Sequence, residues 1–331
     1  MLPMSFEQLQ TAFALSSRLI ESKTFHDLNV ALITILNEID TINDVSSYEI
    51  LGNRAGAGAD VEPLIRKFPL SLDENFTDEY HAVVRYVYKE GTSGVGKHVI
   101  GDQAFISIYV NKDEPPEKLV LIQGAVSDYH YEIVKGLASI YEHQINLFDV
   151  KERDLLTKLH NRQTFVTTLE QVLNFYRGIT PTGKGSYMAI LDIDHFKQVN
   201  DKFGHMQGDE VLIHFANLMR KAFRHADFLF RYGGEEFVVI INQTDETAAL
   251  ALLDSFRLSV KQFSFPSGHI TVSIGVTEVN SYTPIPTMIE IADEALYLAK
   301  HNGRDRIEVL NRSTKSVVDN DIEFFWAGFG G

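Results

Sequence analysis

Carboxylates close two apolar runs of this chain, an unusual place for them. Asp192 and Asp194 follow the strand-length segment YMAIL, Tyr187 to Leu191. Glu235 and Glu236 follow Gly233-Gly234, which separates DFLFRY from EFVVIINQ, two segments rich in aromatic and β-branched residues. The second arrangement reads as a hairpin whose two glycines can take φ > 0 at both central positions of a tight turn. Alternation along the strand then sends Glu235 and Glu236 to opposite faces. An acidic pair on a tip suits a metal or a proton transfer, although GGEE alone reads equally as a solvated hairpin. A buried strand that ends in acids is a natural way to hold a divalent ion at a sheet edge. Beyond the first pair come His195, Phe196, Lys197 and Asn200, then the glycine-punctuated FGHMQGDE, which contains Asp209.

The elements that must position these groups follow from patterning. Around the acids the chain reads as strand Ser186–Leu191, helix His195–Asn200, helix Gly208–Arg224 and a hairpin over Ala226–Gln243. Helix Glu246–Phe263, strand His269–Val279, helix Ile285–Asn302 and strand Arg306–Leu310 complete a mixed unit. The fold class is α/β (α+β). Upstream, residues 5 to about 40 read as helical with a break near Ser22–His26. Val45–Leu51, Ala104–Val110 and Lys118–Gln123 read as strands, Tyr80–Tyr88 supports helix or strand, and Asp128–Leu147 reads as helix. Asn53–Asp60, Asn111–Glu117 and Tyr176–Gly185 read as loops. Asp154–Tyr176 is expected to continue as helix.

Leu137, Tyr141, Gln144, Phe148, Lys151 and Leu155 recur at alternating spacings of four and three. The pattern predicts a short parallel coiled coil joining two copies, against the alternative of a helix face lying on its own domain. The four parts expected are 1–148 as a sensory and regulatory domain, 149–160 as a helical linker, 161–311 as the catalytic domain and 312–331 as a tail. The tail carries Phe324, Phe325, Trp326 and Phe329, which are expected to dock rather than face water.

Composition narrows the function. The 331 residues include no cysteine, so there is no thiolate chemistry and no disulfide framework. A formal charge of −15 argues against nucleic acid or an anionic membrane as the main partner. It also requires that any bound polyphosphate meet a local cationic pocket or a metal. No apolar run approaches the ~20 residues of a membrane span. The first residues lack a basic signal start, so a cytoplasmic location is expected. The twelve histidines do not cluster, and His81, His98 and His130 read as surface or hydrogen-bonded side chains.

DIDHFKQVNDKFGHMQGDEVL and RYGGEEF together resemble the GGDEF family of diguanylate cyclases. The resemblance runs from about Asp154 to Leu310. It includes a leading motif, Asp154-Leu155-Leu156-Thr157-Lys158-Leu159-His160-Asn161-Arg162, and a closing one, Ala299-Lys300-His301-Asn302-Gly303-Arg304-Asp305-Arg306. It implies a palm-like domain with a central, mainly antiparallel sheet flanked by helices. It also implies condensation of two GTP into cyclic di-GMP with release of two pyrophosphates, at a homodimer interface. Two Mg²⁺ per site, or Mn²⁺, would be held by Asp192, the Ile193 carbonyl and Glu235. Glu235, Glu236 and Asp192 are the implied catalytic acids, and Asp194 reads as structural. The backbone from His195 through Phe196 to Lys197, with the cations of Lys197, Lys300 and Arg304, would hold phosphate. Lys300 and Arg304 would share a helix face if the helix ran past Gly303. Asn200 and Asp209 would contact guanine, with Gly204 and Gly208 required for the turn between them.

Arg224 and Asp227, in a motif that ends six positions ahead of Gly233, match the family's RxxD product-inhibition site. Asp305 stands where Asn is more usual and adds negative charge near a phosphate site, and Glu235 replaces Asp with the carboxylate kept. The N-terminal order of helices, strands and a long helix weakly resembles a GAF domain responding to an unnamed signal ligand or protein. A catalytically inactive receptor for cyclic di-GMP or GTP is the competing reading.

Overall fold

The computed structural model describes residues 6–51, 63–70, 72, 77–110, 116–177 and 184–311, with side chains from residue 10 onward. The glycine-rich loop at 53–60, most of the loops at 111–117 and 176–185, and the aromatic tail lie outside the described residues.

The N-terminal half begins with α1 (Phe6–Ile20) and α2 (Phe25–Asn37), separated at the expected break. Thr24 caps α2 by accepting the Asp27 N–H. The strands β1 (Ile42–Leu51), β2 (Leu64–Lys67), β3 (Gly94–Ile100), β4 (Gln103–Val110) and β5 (Glu117–Gly124) form an antiparallel sheet in the order β2-β1-β5-β4-β3. On one face Leu28, Leu32 and Leu36 of α2 pack with Ile106, Ile108, Val120 and Ile122. The other face is covered by α3 (His81–Glu90) through Val83, Val84 and Val87, against Tyr48, Phe105, Tyr109 and Leu119. Burial of both faces explains why AFISIYV and KLVLIQ read as continuous apolar runs. The ambiguity over Tyr80–Tyr88 is settled as helix. Two strands escaped the sequence reading, β2 (LIRK) and β3 (GVGKHVI). Both are sheet edges, where charge and glycine replace apolar alternation.

Helix α4 (Asp128–Glu152) corrects two expectations. Leu137, Tyr141 and Phe148 are buried against α1, α2 and the N-terminal sheet of the same chain, so the coiled-coil seam over 137–155 does not form with those residues. The helix also stops at Glu152, short of a helical 149–160 and of a helix from Asp154. Asp154 ends it by accepting the Thr157 N–H at 2.7 Å, which fixes a turn. Asn161, in the two-residue strand β6 (His160–Asn161), then accepts from the N–H groups of Gln163 and Thr164 to start α5 (Arg162–Arg177).

The C-terminal half follows its expected order closely: β7 (Gly185–Ile193), α6 (Phe196–Phe203), α7 (His205–Ala222), β8 (Phe228–Arg231), β9 (Glu236–Thr244), α8 (Glu246–Gln262), β10 (Val272–Val279), α9 (Ile285–His301) and β11 (Ile307–Val309). The sheet order is β11-β10-β7-β9-β8-β6, antiparallel through the centre and parallel at both edges. Helices α7 and α8 cover one face through Phe215, Met219, Leu253 and Phe256. Helices α5 and α9 cover the other through Phe165, Leu169, Met288 and Ala292. Gly275 in β10 lets α9 lie close, because a Cβ there would run into the backbone of Ala292 and Leu296.

The halves touch. Arg66 of β2 donates to the His225 carbonyl at 2.8 Å and lies over the Phe228 ring at 4.7 Å. Leu72 is buried among the α5 and α9 side chains of the C-terminal half.

Candidate active site

β7 and β9 lie side by side, and their register sets Asp192 opposite Glu236. The Ile193 N–H donates to the Glu235 carbonyl at 3.3 Å, so the hairpin tip is tied to the end of β7. The turn differs from the expected one. Neither Gly233 nor Gly234 adopts positive φ. The connection spans residues 232 to 235, closed by the Tyr232 and Gly233 N–H groups on the Glu236 carbonyl at 2.8 and 3.1 Å. A Cβ at Gly233 would meet the Glu236 carboxylate, the mobile end of a side chain that can turn aside.

Asp192 is buried, and burial raises its pKa. The Lys300 ammonium, 2.8 Å away, opposes that rise, while the charges of Glu236 and Asp194 add to it. Glu235 is likewise pushed up by burial and then by the charge of Asp192. Two acids with raised pKa values, side by side and served by one ammonium, form a site short of positive charge. Among the described residues no group of three or more His, Cys, Asp or Glu could hold a metal. The expected donors are two carboxylates and the Ile193 carbonyl. That set fits Mg²⁺, which takes one or two carboxylates and completes its shell with water and substrate phosphate.

Asp194, two residues on, has the opposite character. Its oxygens accept from Thr271 Oγ1 at 2.6 Å, Ser273 Oγ at 2.7 Å and the Asp305 N–H at 3.2 Å. It fastens β7 to β10 and to the closing loop, in line with its structural reading. The two hydroxyl partners were not anticipated. The signal available was TVS, hydroxyls two apart on a strand whose neighbour ends in DID.

His195 sits at φ 60 as the N-cap of α6, exposed, with its carbonyl accepting the Gln198 N–H at 2.8 Å. Phe196 sends its ring into the core, which leaves only its backbone for a ligand. Lys197 is exposed beside it. The first N–H groups of a helix have no intrahelical acceptor, so this turn suits phosphate oxygens. Asn200 lies against α7 at Gly208, where a Cβ would collide with its amide oxygen. Gly208 is therefore helical and required for contact rather than for a turn. Gly204, at φ 83, is the residue that makes the turn. Asp209, the neighbour of Gly208, is exposed beside the Asn200 contact.

α9 ends at His301, so Lys300 and Arg304 do not share a helix face. The loop brings them to the acids by another route. The Arg304 N–H donates to the Ala299 carbonyl at 3.0 Å, and Arg304 Nε lies 4.0 Å from Asp194 Oδ1. Asp305 turns away from the site toward α8, where Arg257 and Lys261 meet it at 2.6 and 2.7 Å. Its charge is thereby matched locally.

Arg224 and Asp227 form a compact turn. The buried Asp227 carboxylate accepts from the Arg224 N–H and the Asn242 N–H, each at 3.0 Å. Arg224 Nη2 donates to the Asn242 carbonyl at 2.6 Å and meets Asp227 Oδ1 at 3.3 Å. Burial pushes the Asp227 carboxyl up, against those hydrogen bonds and the arginine charge. The turn opens on a cleft of about 840 Å³ between the halves, also lined by Arg66, Lys118, His160 and Arg220.

Residues 151–306 match the family model described as diguanylate cyclase, GGDEF domain. Among curated proteins, Diguanylate cyclase A of Treponema denticola is 35% identical over 189 residues, covering 55% of this chain and 51% of that protein. Diguanylate cyclase DgcP of Pseudomonas aeruginosa is 43% identical over 161 residues, covering 47% and 23%. The chain thus spans about half or less of the length of these relatives. Among solved structures, the coiled coil and GGDEF domain of DgcB from Caulobacter crescentus, in complex with c-di-GMP, is similar at 28% identity and TM-score 0.49. That match covers 56% of this chain and 100% of the other. Among the described residues no helix is long and apolar enough to cross a membrane.

Proposed function

We propose that this protein is a diguanylate cyclase, condensing two GTP into cyclic di-GMP and two pyrophosphates. The observation that carries this reading is the pair of under-compensated acids, Asp192 and Glu235, at the joined ends of β7 and β9, with Lys300 beside them. In each half-reaction a 3′-hydroxyl oxygen attacks an α-phosphorus, the bond to the β-phosphate oxygen breaks, and the hydroxyl proton leaves. Asp192, the Ile193 carbonyl and Glu235 would hold two Mg²⁺ ions, or Mn²⁺, whose charge would polarise the phosphate and help orient in-line attack. Glu235 is also the acid assigned to help remove the hydroxyl proton. Glu236 supports the acid pair from across the strand pair. Lys197, Lys300 and Arg304 neutralise the pyrophosphate, with the His195–Lys197 turn donating backbone N–H groups. Asn200 and Asp209 read the guanine, the carboxylate accepting from N1–H and the amino group.

One site binds one GTP, so two copies must face each other, and their proximity sets the rate. Residues 1–148, with a five-stranded antiparallel sheet between helices, act as a GAF-like regulatory domain for an unnamed signal. Product binding at Arg224 and Asp227 supplies inhibition, since arginine can pair bidentately with guanine O6 and N7. The contact of Arg66 with the His225 carbonyl puts the regulatory half against that turn.

The test is stoichiometric. The full chain with GTP and Mg²⁺ is expected to yield one cyclic di-GMP for every two pyrophosphates. Tight binding of cyclic di-GMP with no pyrophosphate at any protein concentration would instead establish a receptor.

A further inference from the structure

We infer that Asp305 is a positioning residue, which pins the closing loop to α8 and so fixes Arg304 at the acid end of β7. The inference rests on the reading of Arg304 as a phosphate-contacting cation.

Three consecutive residues after α9 adopt left-handed backbone, Gly303 at φ 114, Arg304 at φ 63 and Asp305 at φ 49. Residues with side chains avoid that region, and two in succession persist only where surrounding contacts over-determine them. Those contacts converge on Asp305. Its Oδ1 accepts from Arg257 Nη1 at 2.6 Å and its Oδ2 from Lys261 Nζ at 2.7 Å. Its carbonyl accepts from the same Arg257 nitrogen at 3.3 Å, and its N–H donates to Asp194 Oδ2 at 3.2 Å. Asp305 thus ties α8 to the loop and the loop to β7. Arg257 is itself held by Asp254 at 2.8 Å, so the anchor on α8 is stiff. Burial alone would raise the Asp305 pKa, but the hydrogen bonds and charges of Lys261 and Arg257 hold it below the usual carboxylate range.

By contrast, Arg304 is secured mainly through its backbone. Its N–H donates to the Ala299 carbonyl, its Nε stands 4.0 Å from Asp194 Oδ1, and its side chain is 43% exposed. A cation placed for an incoming anion needs its backbone fixed while its guanidinium stays available. Releasing Asp305 frees the loop without touching the metal donors, Lys300 or the base contacts, so the loss falls on nucleotide binding.

The experiment measures, on the full chain, the affinity for α,β-methylene-GTP, whose bridging carbon prevents loss of pyrophosphate. KM and kcat for GTP are measured alongside. Asp305→Ala is expected to weaken analogue binding and raise KM about tenfold, the scale of one hydrogen bond to a charged group, with kcat within about twofold. Asp305→Asn, which still accepts hydrogen bonds, is expected to restore most of that loss. Arg257→Met breaks the same anchor from the other side and is expected to reproduce it. In an Arg304→Ala background, Asp305→Ala is expected to add less than about twofold, because the two act through one contact. A general loss of structure would weaken both backgrounds alike, so equal effects would overturn the assignment, as would wild-type affinity in Asp305→Ala. A wild type that binds the analogue but makes no product would sink the cyclase reading and leave the affinities to decide on Asp305. A wild type that does not bind would sink both.

Discussion

The two halves of the molecule treat their acids in opposite ways. In the N-terminal half, two partly buried carboxylates are closed off by partners. Glu49 meets Lys118, and Asp78 meets Lys67 at 2.9 Å and Tyr48 Oη at 2.6 Å. Burial pushes both acids up, yet the neighbouring lysines and hydrogen bonds outweigh it and hold both below the usual range. In the C-terminal half, Asp192 and Glu235 are raised, because burial and the charges of neighbouring acids outweigh the single Lys300. Matched acids hold a fold together. Unmatched ones are kept at a cost in stability and await a cation.

That contrast can be broken by mutation. The largest effect is expected at the unmatched end: Asp192→Asn should lower turnover by about 10²- to 10⁴-fold, the range associated with loss of a catalytic group. Its thermal midpoint should hold or rise, since a raised-pKa carboxylate has been removed. Glu49→Ala should do the reverse. It leaves Lys118 buried without its partner, at a cost of about 3–5 kcal/mol, read as a lower denaturation midpoint. A Glu49→Ala protein as stable as wild type would dissolve the distinction.

Arg224→Ala is a smaller test. Asp227 keeps its two backbone N–H donors, so the turn should keep its shape while the inhibition constant of added product rises. Loss of a bidentate arginine–guanine pair is worth about 1–3 kcal/mol. Unchanged inhibition would refute product binding there.

A pH-dependent test concerns His160, on the cleft between the sheets. Burial first, and then the charge of Arg153, depress its pKa to about 3. An unfolded imidazole takes up a proton near pH 6.5, whereas the folded one does not until near its depressed value. Stability is therefore present above pH 6.5 and is lost as pH falls toward the folded value, by at most about 1.4 kcal/mol per pH unit. His160→Gln should flatten that slope in denaturant titrations between pH 6.5 and 4.

How far the sequence revealed this contrast differed between the halves. The central C-terminal elements were legible because β7, β9 and β10 are long apolar runs and the helices around them are bounded by glycine or a capping residue, whereas the two-residue β6 lies in a segment expected to be helical. The acids were legible because they interrupt that pattern at strand ends. What stayed hidden depends on contacts between distant residues. Gly208 is explained by the Asn200 and Phe196 side chains packed against it, not by turn geometry. The spacing of Lys300 and Arg304 suggested one helix face, while the structure joins them through a left-handed loop. In the N-terminal half, edge strands β2 and β3 lack periodicity, and the stripe on α4 was read as facing a second copy. A four-three spacing identifies a buried face but not what covers it.

The most direct measurement is cyclic di-GMP formation from GTP across a Mg²⁺ titration, for wild type and Glu235→Gln, with thermal midpoints recorded in parallel. The account predicts saturable, Mg²⁺-dependent product from wild type and none from Glu235→Gln, whose midpoint without metal is no lower than that of wild type. Equal turnover by the two proteins, or wild-type turnover indifferent to divalent cation, would contradict the claim that the unmatched acids at the end of β7 and the tip of β9 hold the metal and do the chemistry.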